Sequence, residues 1–150
     1  MPRGAKPPDA LVDTSVAIPL LVADHKHHEA TVSAVGQRRI GLAGHAAFET
    51  FSVLTRLPAP LRRSPEMLAE LMKESFPDNC YLSAGASAKL LERLPEAAIS
   101  GGNVFDALVG ATAAEQNVTL LTRDRRALAT YRALNVAVEV VTDDPSRPRS

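Results

Sequence analysis

Four acidic residues sit where they can do metal chemistry: Asp13, Glu49, Asp106 and Asp124, each just after a short apolar run or near the start of a helix-period segment. Several carboxylates meeting at one place repel one another and raise each other's pKa unless a cation neutralises them. Oxygen donors select Mg2+ or Mn2+ over softer metals, and Mg2+ keeps several waters, leaving room for a phosphate. Such a cluster suits phosphodiester hydrolysis, in which the cation acidifies a bound water and neutralises developing charge without a covalent nucleophile. Taken singly, each acid also suits an ordinary role. Asp13 and Asp124 can cap helices, Asp106 can partner Asn103 at a helix start, and Glu49 can be a surface glutamate.

Other chemistry has less behind it. His25, His27 and His28 lie close together but lack the paired cysteines or the helical H-E-x-x-H spacing of a zinc site. There is no G-x-x-x-x-G-K-[ST] phosphate loop and no G-x-S-x-G elbow. Asp13-Thr14-Ser15 has no second Asp two positions on, which disfavours phosphotransfer through an aspartate, and Gly101-Gly102 reads as a turn. Seventeen basic and seventeen acidic residues cancel, so nucleic acid would have to be drawn by local patches such as Arg38-Arg39, Arg62-Arg63 or Arg123, Arg125 and Arg126.

At 150 residues the chain has the length of one domain with its own core, and 45% hydrophobic but only 4% aromatic content makes that core aliphatic. The lone Cys80 cannot form an intramolecular disulfide, which fits a reducing cytoplasm. No apolar run approaches a membrane span, so no membrane partner is expected. Residues 1–8 read as a disordered leader, 9–142 as the folded domain and 143–150 as a flexible tail.

Short apolar runs alternate with helix-period segments, the pattern of a mostly parallel sheet with crossover helices. Five strands are expected: Ala10 to Val12, Ile40 to Ala43, Cys80 to Leu82, Val118 to Leu121 and Val136 to Val141. Helices are expected over Ser15 to Val22, where Pro19 must kink the helix or fall in its first turn, and over Lys26 to Gln37 and His45 to Leu57. Further helices follow over Pro65 to Phe76 capped by Ser64, Ala84 to Arg93 capped by Ser83, Val104 to Gln116 capped by Asn103 and stopped at Asn117, and Arg125 to Leu134. An open α/β sheet binds ligands beyond the carboxyl ends of its strands, where Asp13, Asp106 and Asp124 would stand. Helical spacing sets His45, Ser52 and Arg56 beside Glu49, and turns Phe48, Phe51 and Leu54 to the core. Phe105, Leu108 and Val109 would likewise pack inward, and Gly110, one turn after Asp106, would leave space for a ligand. The apolar segments Ala17 to Val22 and Phe48 to Leu57 exceed what one small sheet face covers, so part of them is expected at a partner interface.

Val12-Asp13-Thr14-Ser15-Val16, Ala47-Phe48-Glu49, Phe105-Asp106-Ala107-Leu108-Val109-Gly110-Ala111 and Leu121-Thr122-Arg123-Asp124, in that order, resemble the signature of PIN domains. The match spans about residues 10 to 141, and the short length is similar to the VapC toxins of bacterial toxin–antitoxin pairs. The resemblance implies a three-layer α/β/α sandwich around a mostly parallel five-stranded sheet, a homodimer, Mg2+ or Mn2+ at the acid cluster and endonucleolytic cleavage of RNA. It also implies inhibition by a cognate VapB-type antitoxin. By position it makes Asp13, Glu49, Asp106 and Asp124 both catalytic and metal-binding, with Thr14, Ser15, Asn103 and Thr122 in support. His45 suits contact with substrate or metal-bound water as well as a capping role. Gly44-His45 departs from the family's usual Ser or Thr before the glutamate helix. A catalytically degenerate RNA- or protein-binding module and a metal-dependent DNA nuclease are the alternatives.

Overall fold

The computed structural model describes residues 6–143. Most of the expected leader and tail, residues 1–5 and 144–150, lies outside the described residues. At the boundaries, Arg39 donates to the Lys6 and Pro7 carbonyls, and Asp143 binds His27 and Arg123.

Strands β1 (Ala10–Val12), β2 (Ile40–Leu42), β3 (Thr119–Thr122) and β4 (Val138–Val140) form one sheet in the order β2-β1-β3-β4. Every pairing is parallel, with Val12 opposite Leu42 and Leu121, and Thr122 opposite Val140. Near-continuous apolar strands are what a sheet covered on both faces requires, and Ala10, Leu11, Val12, Leu120 and Leu121 are all fully buried. The helices are α1 (Thr14–Leu21), α2 (His28–Val35), α3 (His45–Thr55), α4 (Pro65–Ser75), α5 (Ala84–Arg93), α6 (Asn103–Gln116) and α7 (Leu128–Ala133), the last preceded by a 3-10 turn at Arg125–Ala127.

The sheet order explains the layers. From β1 the chain crosses one way to β2, and from β3 it crosses the other way to β4. Right-handed crossovers therefore put α1 and α2 on one face and α7 on the other, where α6 packs beside it. The strand order reverses between β1 and β3, and the crevice outside their carboxyl ends is where an open α/β sheet offers a ligand site. Asp13 follows β1 there, and Asp124 follows β3.

Among the described residues four strands replace the five expected. Cys80 makes a single parallel bridge to Ala43, and Tyr81 and Leu82 are not paired. That edge is held instead by Asn79, whose Oδ1 accepts from Leu42 N at 2.8 Å, and by Gly41, where a Cβ would stand 2.1 Å from the Asp78 carbonyl oxygen. Pro19 does not fall in the first turn. It is the sixth residue of α1, two before the end, where its missing N–H removes only one late hydrogen bond. Ser64 and Ser83 cap α4 and α5 as expected, and Asn117 ends α6 in the left-handed conformation (φ 56°). Asn103 does not cap α6. It is the first helical residue after Gly102, and its side chain turns to Arg126.

Candidate active site at the carboxyl ends of β1 and β3

Asp13 leaves β1 at the centre of the sheet and is nearly fully buried, at 5% exposure. A carboxylate there needs donors, and it has three. Ser15 Oγ donates to Oδ1 at 2.5 Å, while Thr122 Oγ1 and the Tyr131 hydroxyl donate to Oδ2 at 2.5 and 2.8 Å. Ser15 Oγ also accepts from Arg123 N at 2.7 Å, and Thr122 Oγ1 accepts from Asp124 N at 3.0 Å. The two hydroxyls thus tie the end of β1 to the turn after β3. Burial pushes the Asp13 carboxyl above the ordinary range; the hydroxyl donors pull it back, and the charge of Asp124 adds to the rise. Tyr131, buried beside it, is pushed far up by burial first and then by the charge of Asp13, so it remains a donor at any physiological pH.

Asp106 and Asp124 form the open side. Arg126 Nη2 reaches Asp106 Oδ2 at 3.2 Å and Asp124 Oδ2 at 3.0 Å, and Nη1 reaches Asn103 Oδ1 at 3.0 Å. Asp124 Oδ1 meanwhile accepts from Arg126 N at 3.0 Å, so it also caps its own turn. Burial raises the Asp106 carboxyl and the Arg126 charge opposes that rise, while Asp106 and then Asp124 raise the guanidinium.

Glu49 stands to one side on α3. Its Oε1 is 3.1 Å from His45 Nε2, one turn earlier, and its Oε2 is 3.4 Å from Thr14 Oγ1, the residue after Asp13. Gly44 before α3 leaves no side chain to cap the helix, and at φ 49° a Cβ would stand 2.7 Å from Thr112 Oγ1. Asp13, Asp106 and Asp124 are therefore brought together electrostatically. Glu49 joins them through Thr14 on one side and through His45, stacked on Phe105, on the other.

Among the described residues no three carboxylate, imidazole or thiol groups stand at a spacing that holds a metal ion. The place between Asp106 and Asp124 is taken by the Arg126 guanidinium, whose side chain is 62% exposed. Two carboxylates already sharing one positive charge, in a donor set made only of oxygen, fit a hard divalent cation once that side chain swings out.

Three expectations are corrected. Phe48 and Phe105 do not face the core; they are 66% and 48% exposed. The space above Gly110 is filled by Tyr131, whose Cδ1 would lie 2.9 Å from a Cβ there. Sequence reasoning also passed over Tyr131, which lies 118 positions from Asp13 with no motif marking it, and it saw Arg126 only as one of a basic set.

The PIN domain profile matches residues 10–133. Ribonuclease VapC27 of Mycobacterium tuberculosis is 49% identical over 135 residues, covering 90% of this chain and 98% of that protein. Ribonuclease VapC40 of the same species is 44% identical over 132 residues, with 87% and 97% covered. Among solved structures, VapBC2 from Rickettsia felis bound to a DNA fragment from their promoter superposes with a TM-score of 0.63 at 14% identity. That match covers 87% of this chain and 97% of the other and speaks for the fold.

Proposed function

The chain belongs to the PIN-domain family, and from that premise we propose that it is a divalent-metal-dependent endoribonuclease, the toxin of a toxin–antitoxin pair. The observation that carries this is that Asp124, after β3, lies within electrostatic reach of both Asp13, after β1, and Asp106, to which Arg126 bridges it, at the point where the strand order reverses. Resemblance to ribonucleases along nearly their whole length supports RNA as the substrate. The likeness to a VapBC assembly supports a VapB-type antitoxin as partner. A cytoplasmic homodimer completes the proposal; among the described residues no helix is long and apolar enough to cross a membrane.

Asp13, Asp106 and Asp124 would hold the cation, with Glu49 at the margin. Bound there, Mg2+ or Mn2+ supplies acidification of water and neutralisation of charge on the phosphate. The remaining work falls to the chain. Ser15, Thr122 and Tyr131 fix both oxygens of Asp13, so that carboxylate is oriented before anything binds. Glu49 and His45, paired at the rim and both part-exposed, can accept or return a proton at their Oε1 and Nε2 atoms. Arg126, once displaced from the carboxylates, would be free to pair with a phosphate oxygen.

The test is cleavage of mixed cellular RNA in Mg2+, Mn2+ or chelator, with Asp106→Asn alongside. Cutting is expected with either metal and lost with chelator or the substitution, and equal cutting in chelator would overturn the proposal. Light scattering at micromolar concentration is expected to give a dimer mass.

A further inference from the structure

Large rings are usually spent on the core, yet this chain, with only four Phe and two Tyr, leaves Phe48, Tyr81 and Phe105 about half or more exposed. They are grouped. The His45 and Phe105 rings stack with centroids 4.9 Å apart at 16°, and Phe48 and Tyr81 meet at 6.4 Å and 59°. His45 and Phe48 line two adjoining depressions. One, about 220 Å3, also touches Tyr81 and Leu108. The other, about 450 Å3, reaches Glu49 and Arg56. The ring group is thus continuous with the candidate active site through Glu49 and through Phe105, the neighbour of Asp106.

We infer that His45, Phe105, Phe48 and Tyr81 form a stacking platform for unpaired bases of a single-stranded RNA whose backbone passes the carboxylates. This rests on the ribonuclease reading and names the form of its substrate. Ring faces here alternate with polar groups: the imidazole is paired to Glu49, and the Arg56 guanidinium lies in the same depression as Phe48. A nucleotide matches that alternation, with an apolar face, a hydrogen-bonding edge and a phosphate for the cation. A paired base hides both faces in its own stack, so the surface selects single strands. The core of a protein interface is instead depleted of charge, so the Glu49 and Arg56 charges beside these rings favour the nucleotide over a second copy of the chain.

The decisive measurement is binding of a short labelled single-stranded RNA in chelator, where cleavage is off, for the wild type, Phe48→Ser, Phe48→Leu and Tyr81→Ser. Each loss of a ring is expected to weaken binding about tenfold. The same strand annealed to its complement, or a strand without bases, should bind weakly and alike to all four proteins. Both side chains are exposed, so unchanged melting curves are expected and show that the fold is retained. Wild-type affinity in the variants overturns the platform. So does a drop from dimer to monomer mass, which would show a second copy covering these rings. Ring-independent binding with intact metal-dependent cleavage sinks the platform alone. Ring-dependent binding with no metal-dependent cleavage sinks the nuclease reading and leaves the platform.

Discussion

The two halves of the acid cluster are built on different principles. Asp13 is part of the core: it is buried, and both its oxygens are bonded by hydroxyls from three other positions. Asp106 and Asp124 lie at the rim, their side chains 17% and 32% exposed, held by one long, exposed arginine that also binds Asn103. The first half is oriented by rigid neighbours at the cost of burying a charge, whereas the second keeps its carboxylates movable by pairing them with a cation that can leave. A site made this way has one fixed point and an adjustable rim.

If the halves share one reaction, they must fail alike in catalysis. Asp13→Asn and Asp106→Asn should each lower RNA cleavage at saturating Mn2+ by at least about a hundredfold, since each removes a charged oxygen from the same donor set. Activity retained in either would break the pairing of the halves. Stability should instead divide them. Asp13→Ala strands the Thr122 and Tyr131 hydroxyls and should cost about 2–3 kcal/mol in urea unfolding. Asp106→Ala should cost less, about 1 kcal/mol or under, because its partner Arg126 is solvated and keeps its bond to Asp124. Asp13→Asn keeps an acceptor oxygen and should fall between them. Equal costs for Asp13→Ala and Asp106→Ala would show that the buried network is not the anchor described.

That contrast also marks what was legible in the residues alone. Strands β1 and β3 could be read because continuous apolar runs ending in Asp13 and Thr122-Arg123-Asp124 report burial and a carboxyl end together. The strand at Cys80 could not, because three apolar residues look alike whether they pair fully or touch an edge once. Phe48 and Phe105 broke the helical pattern because periodicity reports which side is apolar, not whether anything covers it. Asn103 looked like a cap by type and place, but its partner is Arg126, 23 residues on. Tyr131 is the plainest case: its role is set by tertiary proximity to Asp13 and Gly110, which no local pattern encodes.

The buried half also carries a pH dependence, set by burial against its hydroxyl donors. Because burial raises the Asp13 carboxyl, the folded chain holds that proton more tightly than the unfolded chain does. From the ordinary carboxylate range up to the raised value, stability of the metal-free protein should fall as pH rises, and it levels off above that value. Urea titrations of chelated protein across this range should show the decline in the wild type and a flatter profile in Asp13→Asn. A wild-type profile rising through the same window would mean that the donors, not burial, dominate.

The smallest effect tests the movable rim. Arg126 occupies the space between Asp106 and Asp124, so a divalent cation arriving there must displace it from two ion pairs whose guanidinium is exposed, each worth about 1 kcal/mol. Removing the guanidinium removes that competition and leaves two unneutralised carboxylates. Arg126→Gln should therefore tighten Mn2+ binding, read by electron paramagnetic resonance of the free ion, by roughly threefold to tenfold. Arg126→Lys keeps a positive charge without the planar fork that spans both acids, and should fall between Gln and the wild type. Unchanged or weaker Mn2+ binding in Arg126→Gln would place the cation elsewhere and make the rim as fixed as the buried half.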